Sequence, residues 1–213
     1  MISVIIPSGD DPAHLPRALA PLVAGVADGL VREAIVVDDG AHPENAAIAE
    51  AAGCTLVHAP GSRARRLIAG AKAARGDWFL FLQPDTFLCD GWLDETRRFV
   101  RRPGAQSRAG TFRLGFEEET PLPRRIALSA RLRTHMFGLP YDDQGLLISR
   151  RLYDMTGGHH DMDGKEIDDL SRRIGRKRLT LLRSELIADL AKHERRRAAA
   201  FARYFKSAKA AED

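Results

Sequence analysis

The chain has 213 residues, 44% of them hydrophobic and 29% charged, enough apolar matter to bury one sizeable core and to read as a single globular domain with a tail. The opening apolar run, Met1 to Pro7, is too short to span a bilayer. It also lacks the basic lead and small-residue cleavage site of an export signal, so the expectation is a soluble cytoplasmic protein with Cys54 and Cys89 as reduced thiols. A net charge of +4 gathers beyond Arg172, where it suits either a solvated helix face or contact with anionic lipid, nucleic acid or phosphate groups.

Taken in chain order, "ISVIIP" is a continuous β-branched run, as expected of a strand buried on both faces. Asp11 to Gly29 predicts a helix, with Asp11 as N-cap, Pro12 at its first position, a kink at Pro21, and Leu15, Leu19, Leu22, Val23 and Val26 at helical spacing. "EAIVVDDG" is a second strand, "HPENAAIAEAAG" a helix and "CTLVHAP" a third strand. "SRARRLIAGAKAARG" is a helix closed by Gly76, and "DWFLFLQ" a fourth strand. This alternation predicts a mostly parallel sheet covered by helices. The second half changes rhythm: residues 108–121 alternate like a half-exposed strand, 122–138 read as a helix, and 143–158 as strand then helix. Residues 164–182 supply a helix and a terminal strand. The expected division is an α/β domain over 1–182 and a basic, largely helical segment over 183–213.

In open parallel sheets ligands bind beyond the carboxyl ends of the strands. Those positions hold Pro7, Ser8, Gly9, Asp10 and Asp11, then Asp38 and Asp39, then Ser62 and Arg63, then Gln83, Pro84 and Asp85. Singly these are ordinary turn and cap residues. Asp38 and Asp39 are more informative, because adjacent carboxylates at the end of a buried strand repel each other unless a cation or hydrogen-bond donor is present; a base or ribose edge would serve. Asp85 has two readings: an N-cap for the turn before Trp92, or a hard-metal ligand at a diphosphate. The loop His159 to Asp169 mixes imidazoles and carboxylates, but its spacing fits no standard zinc site and it reads as a polar loop.

The ordered segments "ISVIIPS", "EAIVVDDG", "PGSRARRLIAGAKAARGDWFLFLQPDT", "PYDDQGLLISRRLYDMTGG" and "EIDDLSRRI" resemble the family-2 glycosyltransferases of GT-A fold, and among them the bacterial subgroup of radical-SAM/selenodomain-associated transferases. The resemblance implies a nucleotide-sugar donor, a UDP- or GDP-sugar, held by Pro7, Ser8, Asp38, Asp39, Arg63, Arg65 and Gln83. It also implies Mg or Mn on Asp85, a carboxylate base at Glu166 or Asp168, an acceptor side at Asp143 and Gln144, and inverting transfer to a hydroxyl. The chain departs from the pattern: Gln83 stands where the metal motif carries its first ligand, Arg66 and Ile68 replace two amides, and Ile167 stands where the base is expected. These departures support the alternative of a nucleotide- or sugar-binding relative without turnover. A third reading, a nucleic-acid or membrane-surface module, rests on the basic tail. Too few aromatics interleave there to expect nucleic acid. Ile187, Ala191, Ala198, Phe201, Phe205 and Ala208 sketch an amphipathic stripe that suits peripheral contact with the inner face of a membrane, and equally packing back on its own domain or against a second subunit.

Overall fold

The computed structural model describes residues 1–9, 12–162 and 164–209, and for 200–209 the backbone alone. Eight strands form one sheet: β1 (Ile2–Pro7), β2 (Val31–Asp38), β3 (Thr55–His58), β4 (Trp78–Phe81), β5 (Thr86–Leu88), β6 (Ala109–Gly115), β7 (Leu146–Ser149) and β8 (Leu179–Ala188), in the order β3-β2-β1-β4-β7-β6-β8-β5. The first four are parallel, and β6 and β8 are parallel to each other. β7 runs antiparallel between β4 and β6, and β5 antiparallel to β8. The result is the α/β class expected, with a mostly parallel central sheet.

The nine helices among the described residues are α1 (Leu15–Leu19), α2 (Leu22–Ala27), α3 (Glu44–Ala51), α4 (Arg63–Ala73), α5 (Trp92–Val100), α6 (Pro121–Phe137), α7 (Arg150–Met155), α8 (Glu166–Ile174) and α9 (Leu190–Lys209). They cover both sheet faces, which is why the early strands are apolar throughout. Ile2, Val4, Ile6, Val36 and Leu80 face one core with Leu15, Leu19, Trp92 and Phe99. Ile5, Ile35, Val37, Phe79 and Phe81 face the other with Leu67, Leu170 and Ile174. The second core needs α4 very close to the sheet. A Cβ on Gly70 would lie 2.4 Å from Ile5 Cγ2 and 2.9 Å from Val37 Cγ2, so only glycine permits that approach.

Several local expectations are corrected. The helix from Asp11 to Gly29 is two short helices broken at Ala20 and Pro21 rather than one kinked rod, because proline removes a donor there. Leu15, Leu19 and Leu22 are buried, whereas Val23 and Val26 face solvent. The Asp11 cap lies outside the described residues. Thr86 to Leu88 form a strand paired with β8, and α5 is preceded by Gly91, so Asp85 does not cap it. The terminal strand runs on to Ala188, six residues past Leu182, and carries Ile187 in the sheet rather than on the helix. α9 is capped by Asp189, whose Oδ1 accepts from Lys192 N at 2.8 Å. Phe201, Phe205 and Ala208 belong to the portion described by backbone alone. Among the described residues no helix is long and apolar enough to cross a membrane.

Candidate functional site

A cavity of about 1040 Å³ opens beyond the carboxyl ends of β1 and β4 and is closed on its far side by α8 and the first turns of α9. It lies where a parallel sheet is expected to take its ligand. Pro7 and Gly9 from the end of β1, Gln83 and Asp85 from the end of β4, and Arg63 and Arg66 from the start of α4 form one wall. Asp142, Asp143, Glu166, Ile167 and Asp168 form the other.

Donors within the protein resolve the crowding of Asp38 and Asp39. Asp38 accepts from Asn45 Nδ2 and from the Gly40 amide, each at 3.0 Å. Ser8 donates to Asn45 Oδ1 at 2.9 Å, which completes a buried chain beneath the wall. Asp39 Oδ2 meets Arg66 Nη1 at 3.0 Å. Arg66, one of the departures from the family pattern, is thus the cation that the paired acids require.

Arg63 links the two walls. Its Nη1 lies 2.7 Å from Glu166 Oε1 and 3.1 Å from Asp142 Oδ2. With the Gln83 amide turned so that its oxygen faces Arg63, that oxygen accepts from Nε at 3.1 Å and also from Nη2. Burial alone would lower the basicity of Arg63, but the charges of Asp142 and Glu166 outweigh it and hold the guanidinium protonated. The Asp142 carboxyl is pushed above the usual range by burial and by repulsion from Glu166 and Asp143, with Arg63 opposing.

A second cation enters from α9. Arg196 Nη1 lies 2.8 Å from Asp85 Oδ2, and Nη2 lies 2.5 Å from Asp143 Oδ1, so one guanidinium bridges both carboxylates. His193, one turn earlier, sets Nδ1 2.5 Å from Asp143 Oδ2. Burial would raise the Asp143 carboxyl, but the hydrogen bond from His193 and the charge of Arg196 hold it below its ordinary range. Buried atoms without a hydrogen-bond partner face this region: Asp85 Oδ1, Asp142 Oδ1, Glu166 Oε2 and His193 Nε2. Polar atoms held dry without partners are costly in a merely structural role.

The cavity therefore brings together Pro7, Arg63, Gln83, Asp85, Asp143, Glu166 and Asp168 from the sequence expectations. Asp168 is engaged by Arg133 Nη2 at 2.8 Å. Ser8, Asp38 and Asp39 lie behind the lining. Arg65 points away and is bound to Asp161 at 2.7 Å. Gln144 is buried in the scaffold, where it accepts from Tyr141 N at 2.9 Å and donates to Phe112 O at 3.0 Å. Ile167 lines the cavity and packs on the second core. In the polar loop, His159 stacks edge-on against Phe81 at 4.7 Å and meets Tyr153 Oη at 3.1 Å. Burial, reinforced by Arg63 and Arg173, lowers its pKa to about 3. Sequence reasoning missed Arg133, His193 and Arg196. The last two were read as part of a basic tail, and their only signal is a spacing of three on a helix.

The sequence profile of Glycosyl transferase family 2 matches residues 3–162. No curated protein matches the chain. Among solved structures, glucosyl-3-phosphoglycerate synthase from Mycobacterium tuberculosis with Mn2+, UDP and phosphoglyceric acid superposes with a TM-score of 0.62 at 20% identity, over 85% of this chain and 67% of that one. The same enzyme with Mn2+ and UDP-glucose gives 0.62 at 20% identity over 89% and 70%. Another crystal structure, of a mycobacterial protein, gives 0.61 at 21% over 90% and 69%. These likenesses show a shared GT-A fold; they do not reach the radical-SAM-associated subgroup. With the profile spanning most of the chain and the fold in agreement, the protein belongs to glycosyl transferase family 2.

Proposed function

We propose that this protein transfers a sugar from a UDP-sugar to a hydroxyl acceptor with inversion at the anomeric carbon. The observation that carries this reading is the set of carboxylates gathered in one cavity. Asp85 follows the end of β4, and Asp142 and Glu166 are held around Arg63; each of the three has one buried oxygen without a partner. The choice of UDP is supported by the mycobacterial synthase, whose structures of the same fold hold UDP or UDP-glucose.

A divalent cation fits the donor side. Asp85 Oδ1 and His193 Nε2 are buried and unpartnered; the carboxylate oxygen is of the type that Mg and Mn both accept, and the imidazole nitrogen suits Mn rather than Mg. With its Nδ1 directed at Asp143, His193 is oriented as a ligating imidazole usually is. Among the described residues no group of three or more His, Cys, Asp or Glu is arranged to hold a metal. Asp85 and His193 would hold the ion, which would need further oxygen ligands from outside the protein. When bound, the ion neutralises charge on the departing diphosphate.

The chain's own groups do the rest. Asp142, the more basic for its burial beside Glu166 and Asp143, takes the acceptor proton. The freed oxygen forms its bond to the anomeric carbon as the bond to the phosphate oxygen breaks, and that electron pair leaves with the nucleoside diphosphate. Arg63 keeps Asp142 and Glu166 positioned through the step. A second reading, nucleotide binding without turnover, is favoured by one feature: Arg196 already bridges Asp85 and Asp143.

Calorimetric titration with UDP, GDP, CDP and dTDP, each with Mn, Mg or chelator, tests the donor. Metal-dependent binding of UDP is expected, with its loss in Asp85→Ala at unchanged circular dichroism. Equal binding by both proteins would remove Asp85 from the donor site. With UDP-glucose and a panel of acceptors, Asp142→Asn is expected to lower turnover by ~10²-fold or more while UDP still binds. Nucleotide binding with no transfer under any condition would favour the second reading.

A further inference from the structure

Helix α6 carries five of the large hydrophobic side chains left exposed among the described residues: Leu122, Leu128, Leu132, Met136 and Phe137. Leu128, Leu132 and Met136 recur every four residues and are 56%, 50% and 55% exposed. At about 100° per residue they point away from Ile126, Ala130 and Thr134, which are buried against the domain. Neither core nor cavity uses this outward stripe.

The charge along the helix itself is basic, with Glu119 pairing Arg124 at 3.9 Å at its N-terminal end. α6 contains Arg124, Arg125, Arg131, Arg133 and His135 and no acid. Arg124, Arg131 and His135 run along one edge of the stripe, while Arg125 interrupts it. Just beyond the helix, the 3-10 turn Arg176–Arg178 adds three cations, and Arg176 Nε donates to His135 O at 3.0 Å. Glu117, Glu118 and Glu119 lie only before the N-terminal end.

We propose that this face of α6 docks the protein peripherally on an anionic lipid surface. Leu128, Leu132 and Met136 enter the boundary between headgroups and acyl chains, and the flanking arginines meet lipid phosphates. A second copy packed antiparallel, with the two-fold axis crossing α6 at right angles, would set those arginines against their equivalents, whereas an anionic bilayer complements them. The same helix sends Arg133 into the cavity, so docking holds the cleft within about one helix diameter, ~10 Å, of the lipid.

The test uses the full chain and vesicles of phosphatidylcholine, with or without phosphatidylglycerol, read by cosedimentation in the absence of any donor. The result is thus independent of the transferase reading. Expected is binding to the phosphatidylglycerol vesicles that weakens in high salt and falls about tenfold or more in Leu128→Ser/Leu132→Ser/Met136→Ser. These residues are exposed, and circular dichroism checks that the variant keeps its fold. A second variant, Arg124→Glu/Arg131→Glu, is expected to lose the preference for phosphatidylglycerol. The proposal is overturned by no binding, by equal binding to vesicles without phosphatidylglycerol, or by undiminished binding of the triple-serine variant. Self-association in sedimentation equilibrium that the triple variant abolishes, without vesicle binding, assigns the face to a second copy and also overturns it.

Discussion

Arg196 joins two buried carboxylates, Asp85 and Asp143, the second of which His193 also bonds. Replacing it with glutamine is expected to cost ~1–3 kcal/mol, less than a fully buried pair because about a third of the side chain meets solvent. Mn2+ without nucleotide should then raise the thermal midpoint of Arg196→Gln more than that of the wild type, since the freed carboxylates attract a cation. Equal responses would show that metal and arginine do not share this position. His159 makes a separate prediction. Its pKa falls from 6.5 to about 3 on folding, so only the neutral ring is at home in the native state. The unfolded chain therefore binds the extra proton between those values. The stabilisation is complete above pH 6.5 and is lost as pH falls toward 3. Denaturant titrations across that range should show a shallower acid decline in His159→Gln than in the wild type; parallel curves would remove His159 from the acid limb.

At the level of elements, the approach of α4 to the sheet decides where Arg63 and Arg66 stand. Gly70→Ala would drive a methyl into Ile5 and Val37, whose Cγ2 atoms lie 2.4 and 2.9 Å from the added carbon. A loss of ~1–3 kcal/mol is expected, with weaker nucleotide binding because the helix carries both arginines. Urea unfolding at an unchanged slope measures the first effect and calorimetry the second. The elements legible in the sequence were those whose signal is local: the buried runs of β1, β2 and β4, the helical segment of α4, and acids placed just after strands. β5 was not legible. It has three residues, and its partner β8 lies about a hundred positions away, so no periodicity within Thr86 to Leu88 announces it. The same reason hid half of the site. Asp85 and Glu166 stand in segments with a readable pattern, whereas His193 and Arg196 acquire meaning only when β8 delivers α9 to the cavity.

Across the whole molecule, the cavity is built by parts of the chain that meet only in the folded state: the parallel strands at one wall, α8 with the turn before β7 at the other, and α9 closing both. A ligand held by all three binds the native state and not the unfolded chain, so it stabilises by mass action. UDP with Mn2+ at 100 times its dissociation constant should add ~2.7 kcal/mol. For a chain of this size that corresponds to a thermal shift of roughly 5–10 °C. UDP with chelator should shift the midpoint much less if Asp85 and His193 hold the diphosphate through a metal. His193→Ala should reduce the metal-dependent part, measured against that variant's own ligand-free midpoint, because the ring also supports Asp143 through Nδ1. A full shift in chelator would instead assign the diphosphate to the arginines, with Arg196 passing from the two carboxylates to the phosphates. In that case Arg196→Gln, rather than His193→Ala, would abolish the shift.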